Sequence, residues 1–151
     1  MNLSLPASSG SYALHLTLPA AQRIAVGRLG AFDFLPGSYL YLGSAHGPGG
    51  LRGRIQHHLH PAERPHWHID WLRRHTALIG GWYSQALVPA ECLWSQGLLG
   101  LPGIRAHVPG FGASDCPRGC PAHLVYLPHP FDPIPIEHLL RSITPDLAVF
   151  A

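Results

Sequence analysis

Proline and glycine make up 16 and 17 of the 151 residues and recur along the whole chain. Proline stops helices and interior strands, and glycine weakens both, so no long regular element can form. The chain must therefore be built from short pieces joined by turns. Residues 11–18, SYALHLTL, alternate in polarity and end at Pro19, the pattern of a strand. Residues 23–34 read as a second strand interrupted by Gly27 and Gly30. After a turn at Pro36-Gly37, SYLYLG reads as a third, with strong aromatic β character. Three successive strands with short turns predict an antiparallel meander. The Gly-rich HGPGG (46–50) leads into a helix over 51–59, which Pro61 and Pro65 bring to an end. A second helix is expected over 66–75 with Trp67, Trp71 and Leu72 near one face, then a strand over 77–87 and a helix over 90–99 behind Pro89. Residues 100–121 are loop-rich, 123–127 make a last strand and 136–142 a short terminal helix. The expected class is α+β: a small three-stranded antiparallel sheet flanked by helices, with an additional C-terminal strand and helix. No repeat or linker divides the chain, and its length suits one domain over 1–151.

Absences narrow the chemistry further. All ten basic residues are Arg, with no Lys, and the single Asn is Asn2. Schiff-base and Walker lysines are thereby excluded, as is a His-Asn-His nuclease. No G-x-S-x-G occurs, which leaves little room for a serine hydrolase. Three cysteines, an odd number, argue against a disulfide framework. The N-terminus lacks a basic region followed by a long apolar run, and no stretch approaches a membrane span. A cytoplasmic protein with no membrane association is the expectation.

Charge is unevenly placed although the formal net charge is only +2. Residues 51–75 hold Arg52, Arg54, Arg64, Arg73 and Arg74, half of all the arginines, against Glu63 and Asp70 alone. Six of the twelve histidines lie there too, among them His58, His66 and His68. Such a patch attracts phosphates, although a solvated helix face has the same composition. Within it, the stretch 37–59 joins a tyrosine-rich strand ending at Gly43 to a helix carrying Arg54. Arg54 and His58 are four residues apart and share one helix face. Tyr supplies a phenol, Arg a forked cation matched to phosphate, and His a proton donor or acceptor. Tyr39 and Tyr41 stand two apart and point to the same face of their strand.

Tyr41-Leu42-Gly43, followed by a helix with Arg54 and His58, resembles the GIY-YIG nuclease superfamily, and Gly10-Ser11-Tyr12 looks like its first element. In register, YLYLGSAHGPGGLRGR, HWHIDWL, EC, PGFGASDC and HLVY resemble the DUF123 (Uri-type endonuclease) branch over about residues 10 to 127. The resemblance implies an endonuclease hydrolysing phosphodiester bonds in DNA, with branched and damaged forms among the candidate substrates, and using one Mg²⁺ or Mn²⁺ ion. Glu91 would hold the metal, Tyr12 would orient or deprotonate the attacking water, Arg54 would neutralise the phosphate, Tyr41 would line the site and His58 would lie at its edge. The long spacing from Tyr12 to Tyr41 leaves Tyr39 as an alternative first phenol. A tyrosine base needs its pKa lowered from ~10, which a nearby cation could do. The chain has no acidic pair spaced for a two-metal site, whereas one Glu with waters and substrate oxygens suits Mg²⁺.

Arg52, His66, His68, Arg73 and Arg74 are the candidate nucleic-acid contacts. His66 and Asp70, spaced i and i+4, suit DNA contact, orientation of the catalytic Arg and Tyr, or a mutual bond that caps the helix, and His57 reads as surface. Cys116, Cys120 and His123 supply three of the four ligands of a tetrahedral zinc, with Cys92, Asp115 or His107 as the fourth; three buried thiols and a core histidine are the plainer alternative. Two other functions stay open: a nucleic-acid-binding module without useful catalysis, and a zinc-stabilised structural or interaction domain.

Overall fold

A computed structural model describes residues 4–114 and 116–151. The elements run β1 (Gly10–Leu18), β2 (Gln22–Val26), β3 (Gly30–Phe34), β4 (Gly37–Ala45), α1 (Gly50–His58), α2 (His68–Arg73), β5 (Ala77–Ser84), α3 (Ala90–Leu99), β6 (Leu124–Leu127), α4 (Pro133–Ile143) and β7 (Ala148–Phe150). The class is α+β, as expected. The main sheet is antiparallel with the order β6-β4-β1-β5-β7, and β2 and β3 form a separate hairpin. No helix among the described residues is long and apolar enough to cross a membrane.

The meander expected from the first three strand-like segments does not form. Gly27 and Gly30 take positive φ values, +49° and +123°, on either side of a 3₁₀ turn. Side chains rarely adopt that region, so these glycines let the chain reverse inside the segment read as one strand. Arg23 then pairs with Asp33 and Ile24 with Phe32. The place beside β1 is taken by β5 instead, and β7 adds a strand that the sequence reading lacked. The sheet therefore has five strands rather than three.

Both faces of this sheet are covered, as strict alternation along β1 and β4 requires. Tyr12, Leu14, Leu16, Tyr39 and Tyr41 join Leu51, Ile55, Ile69 and Leu72 in one buried cluster, beneath α1 and α2. Ala13, Leu40 and Leu42 join Trp94, Leu98, Ile136 and Leu140 in the other, beneath α3 and α4. The central strand β1 is hydrogen-bonded to β4 on one side and β5 on the other, so chain segments on either side of residue 75 meet at the middle of the sheet.

Candidate functional site

Strand β6 pairs with β4 only as far as Tyr41, opposite Leu124. Beyond that point Leu42, Gly43 and Ser44 run past the end of β6 and line a cleft of about 390 Å³. At this edge the two faces of the sheet meet. Tyr12, Tyr41, Arg54 and Trp67 reach the cleft from the α1 face, and Glu91 and Cys92 from α3 on the opposite face; Cys116, Arg118 and His123 complete the wall. Tyr12, Tyr41, Arg54 and Glu91, far apart in the sequence, are thus brought together.

Tyr12 lies opposite Gly43 across the β1–β4 ladder, and its ring crosses the glycine. A Cβ on Gly43 would lie 2.4 Å from Tyr12 Cζ and 2.5 Å from its hydroxyl, so only glycine fits beneath this phenol. The Tyr12 hydroxyl is 2.9 Å from His58 Nε2. Arg54 is held from two sides: its Nη1 donates to the Ser44 carbonyl at 3.2 Å, and its guanidinium lies 4.4 Å from the centre of the Trp67 ring. Glu91, in the first turn of α3, accepts a hydrogen bond from Ser11 Oγ at 3.2 Å.

Electrostatics here differ from the sequence expectation. Burial pushes the Tyr12 phenol well above its ordinary 10, Tyr41 adds to the rise, and Arg54 offsets only part of it. The cation expected to acidify this tyrosine is present, but desolvation outweighs it. Tyr12 therefore carries its proton at neutral pH. In the tautomer of His58 that leaves Nε2 unprotonated, the phenol donates to it and keeps its oxygen lone pairs to accept.

His58 does not sit at an exposed cleft edge. It is 1% exposed, packed against the rings of Tyr12, Tyr41 and Trp67, and its Nδ1 has no hydrogen-bond partner among the described residues. Burial pulls its pKa down to about 3, His57, Arg54 and Arg73 act in the same direction, and Asp70 opposes them. The imidazole is neutral in the folded protein, whereas the unfolded chain protonates it near 6.5. Between those values the unfolded state binds more protons. Stability due to His58 is complete above about pH 6.5 and is lost as pH falls toward 3, by up to ~1.4 kcal/mol per pH unit. Urea unfolding at pH 7 and pH 5 should show this loss in the native sequence, and a His58→Gln protein should show a smaller one. Equal losses in both proteins would contradict the assignment.

The remaining candidates separate. Tyr39 is fully buried away from the cleft: its hydroxyl donates to the Leu35 carbonyl at 2.6 Å, and its ring packs edge-on against Phe34 and Tyr126. Arg73 is not a free cation. It is 6% exposed, and its guanidinium donates to the carbonyls of His58, Leu59 and Thr76, closing the end of α1. Its charge is used inside the fold because the last carbonyls of a helix need donors. Arg74 and Arg52 are exposed; Arg74 lies 5.5 Å from the Trp71 ring centre, and Arg52 Nε donates to the Leu5 carbonyl. The exposed His66 lines a shallow depression beside the cleft with Tyr41, Trp67 and His68. His68 Nδ1 accepts from the Gly112 backbone N–H at 2.8 Å, which ties it to the loop before β6.

Asp70 serves the local cap. One carboxylate oxygen accepts from the backbone N–H groups of His66 and Trp67, and the other accepts from His57 Nε2 at 2.9 Å. Burial raises its pKa, but these hydrogen bonds outweigh it and hold the carboxyl below the usual value. Asp70 thus takes the capping role, and His57 gains a partner that its surface reading did not include.

Cys116, Cys120 and His123 do converge, and the fourth member is Cys92: the four ligand atoms all lie within 4.8 Å of one another and could hold a metal ion. His107 is elsewhere, its Nε2–H donating to the Asp33 carbonyl, and Asp115 lies outside the described residues. Trp67, Ser11 and Arg118 were absent from the sequence candidates. Trp67 carried only a helical-face signal, and Ser11 sat unremarked beside Tyr12.

No curated protein and no solved structure matches the chain. The family model described as a domain of unknown function, DUF123, matches residues 11–142, and the chain belongs to that family.

Proposed function

We propose that this protein is a metal-dependent endonuclease of the GIY-YIG kind, cleaving phosphodiester bonds in DNA. The observation that carries the reading is the single cleft lined by Tyr12, Tyr41, Arg54 and Glu91. Two tyrosines on adjacent antiparallel strands, Arg and His on the next helix and Glu on a later one follow the order that the resemblance implies.

Each residue suits a role by its chemistry. Arg54 is fixed by Trp67 and the Ser44 carbonyl, so its remaining donors are preorganised for a phosphate. Tyr12, protonated and anchored on His58, accepts a hydrogen bond from a water and orients it toward the phosphorus. Tyr41 lines the cleft between the Tyr12 ring, 6.4 Å away, and Phe111. Glu91 is the one carboxylate among the described residues lining the cleft. That donor set fits a single hard cation completing its shell with waters and substrate oxygens, and not a two-metal centre. When bound, Mg²⁺ or Mn²⁺ supplies positive charge to the phosphate oxygens. Ser11, donating to Glu91, orients the carboxylate. The exposed Arg52, Arg74, Arg118 and His66 offer the surrounding cationic and polar contacts for the strand.

The test is an assay of the full chain on single-stranded, duplex, flap and junction DNA with Mg²⁺ or Mn²⁺. Cleavage that requires the cation and stops on chelation is the expected result. Binding without cleavage of any of these substrates would favour the nucleic-acid-binding module instead.

A further inference from the structure

We propose that Cys92, Cys116, Cys120 and His123 bind one zinc ion in closed tetrahedral coordination, and that this ion fastens the loop before β6 to α3 as a wall of the cleft. The proposal stands on the geometry of the four residues, whatever reaction the cleft performs.

The first argument is distance. The thiols of Cys92 and Cys116 are 3.5 Å apart, and Cys92 Sγ is 3.6 Å from His123 Nε2. Zinc–sulfur bonds of about 2.3 Å and zinc–nitrogen bonds of about 2.0–2.1 Å place neighbouring ligands of a tetrahedron roughly 3.5–3.8 Å apart. All four ligand atoms lie within 4.8 Å of one another, and these two separations match edges of such a tetrahedron. They are far longer than a disulfide, which needs about 2.05 Å, and all three cysteines are free.

The second argument is the type and number of donors. Three thiols and one imidazole are soft to borderline ligands, the class that selects zinc over Mg²⁺ or Ca²⁺. Four protein ligands leave no open position, which marks a structural centre rather than a catalytic one. Glu91, the hard oxygen donor, precedes Cys92 directly in α3, so the soft cluster and the cleft carboxylate are fixed by one helical turn.

The third argument is what the loop lacks. The described residues between 106 and 123 hold no helix or strand, and Cys116 and Cys120 frame a turn in which the Gly119 N–H donates to the Cys116 carbonyl at 3.2 Å. The loop nevertheless supplies Gly112, Cys116, Arg118 and His123 to the cleft. Backbone bonds from His123 to Phe111 and from Gly110 to Pro121, both 2.7 Å, close its base. Towards α3 the loop is held by the Ser95 hydroxyl, which donates to the Ala122 carbonyl at 2.7 Å, and by a long contact of 3.9 Å from Gln96 Nε2 to Cys120 Sγ; no stronger cross-link joins the described residues of its tip to the helix. One ion bonded to both segments would supply that cross-link, as structural zinc does in small metal-stabilised domains.

The experiment uses the full reduced chain, purified from zinc-containing medium. Elemental analysis should give one zinc per chain, and exchange with Co²⁺ should give the visible bands of tetrahedral cobalt with a thiolate charge-transfer band. Cys116→Ser, on the loop and half-buried, and Cys92→Ser should lose that spectrum. Because these variants could unfold, hydrogen exchange of the native sequence is compared with and without a zinc chelator. The amides of residues 110–123 should exchange faster without the ion. A chain that carries no stoichiometric zinc and gives no tetrahedral cobalt spectrum overturns the site. Equal exchange in the loop with and without zinc overturns its role as a fastener. Neither result depends on DNA cleavage, so failure here is distinct from failure of the nuclease reading.

Discussion

Glu91→Gln is expected to abolish cleavage while DNA binding survives. The amide keeps the size of the side chain and an oxygen to accept from Ser11 Oγ, but it removes the cleft's carboxylate. A cation clamped on a phosphoryl oxygen contributes several kcal/mol of transition-state stabilisation, so cleavage should fall by roughly 10³-fold or more. Binding led by arginine–phosphate contacts should change little, because Arg52, Arg54, Arg74 and Arg118 are untouched. Folding should also be nearly unaffected. Losing a carboxylate in the first turn of α3 costs about 0.3–1 kcal/mol through the helix dipole. Parallel measurements of cleavage rate, binding affinity and thermal midpoint separate the three effects. Full cleavage by Glu91→Gln would eliminate a mechanism built on one metal held by this residue.

The second large effect concerns Tyr12, the phenol proposed to face the reaction. Tyr12→Phe should lower cleavage by roughly 10²–10⁴-fold, the range for a positioned proton-handling group. It should also cost about 1–3 kcal/mol of stability, because His58 is buried and would lose the partner of Nε2 while Nδ1 has none among the described residues. Tyr39→Phe is the control, since both tyrosines were open candidates. Its hydroxyl donates to the Leu35 carbonyl at 2.6 Å, away from the cleft, so the change should cost ~1 kcal/mol and leave cleavage near the native rate. Gly43→Ala should reproduce the catalytic loss without removing the hydroxyl. The new methyl would occupy the space of the Tyr12 ring, and overpacking of this kind costs about 1–3 kcal/mol. A severe defect in Tyr39→Phe with a mild one in Tyr12→Phe would reverse the assignment.

Several parts of this site were legible in the chain because they follow from local periodicity. Arg54 and His58, four apart, share a helix face wherever that helix packs, and Tyr39 and Tyr41 share a strand face for the same reason. The α+β class, the helix behind Pro89 that carries Glu91, and three members of the Cys/His cluster also follow from short-range pattern and spacing. Tertiary structure decided the rest. Gly27 and Gly30 looked like interruptions of one strand, yet they are the turn of a hairpin, and strand partners are set by contacts across the chain. A buried Arg73 closing a helix and an exposed Arg74 beside it are the same letter in sequence, and only packing distinguishes an internal donor from a surface charge. The same holds for Tyr12, where the balance between Arg54 and burial sets the direction of its pKa. Cys92 could join Cys116, Cys120 and His123 only once α3 packed against β4 and β6. Residue spacing along a chain determines which side chains share a face; which faces meet, and how much water remains between them, is determined by long-range pairing of the sheet.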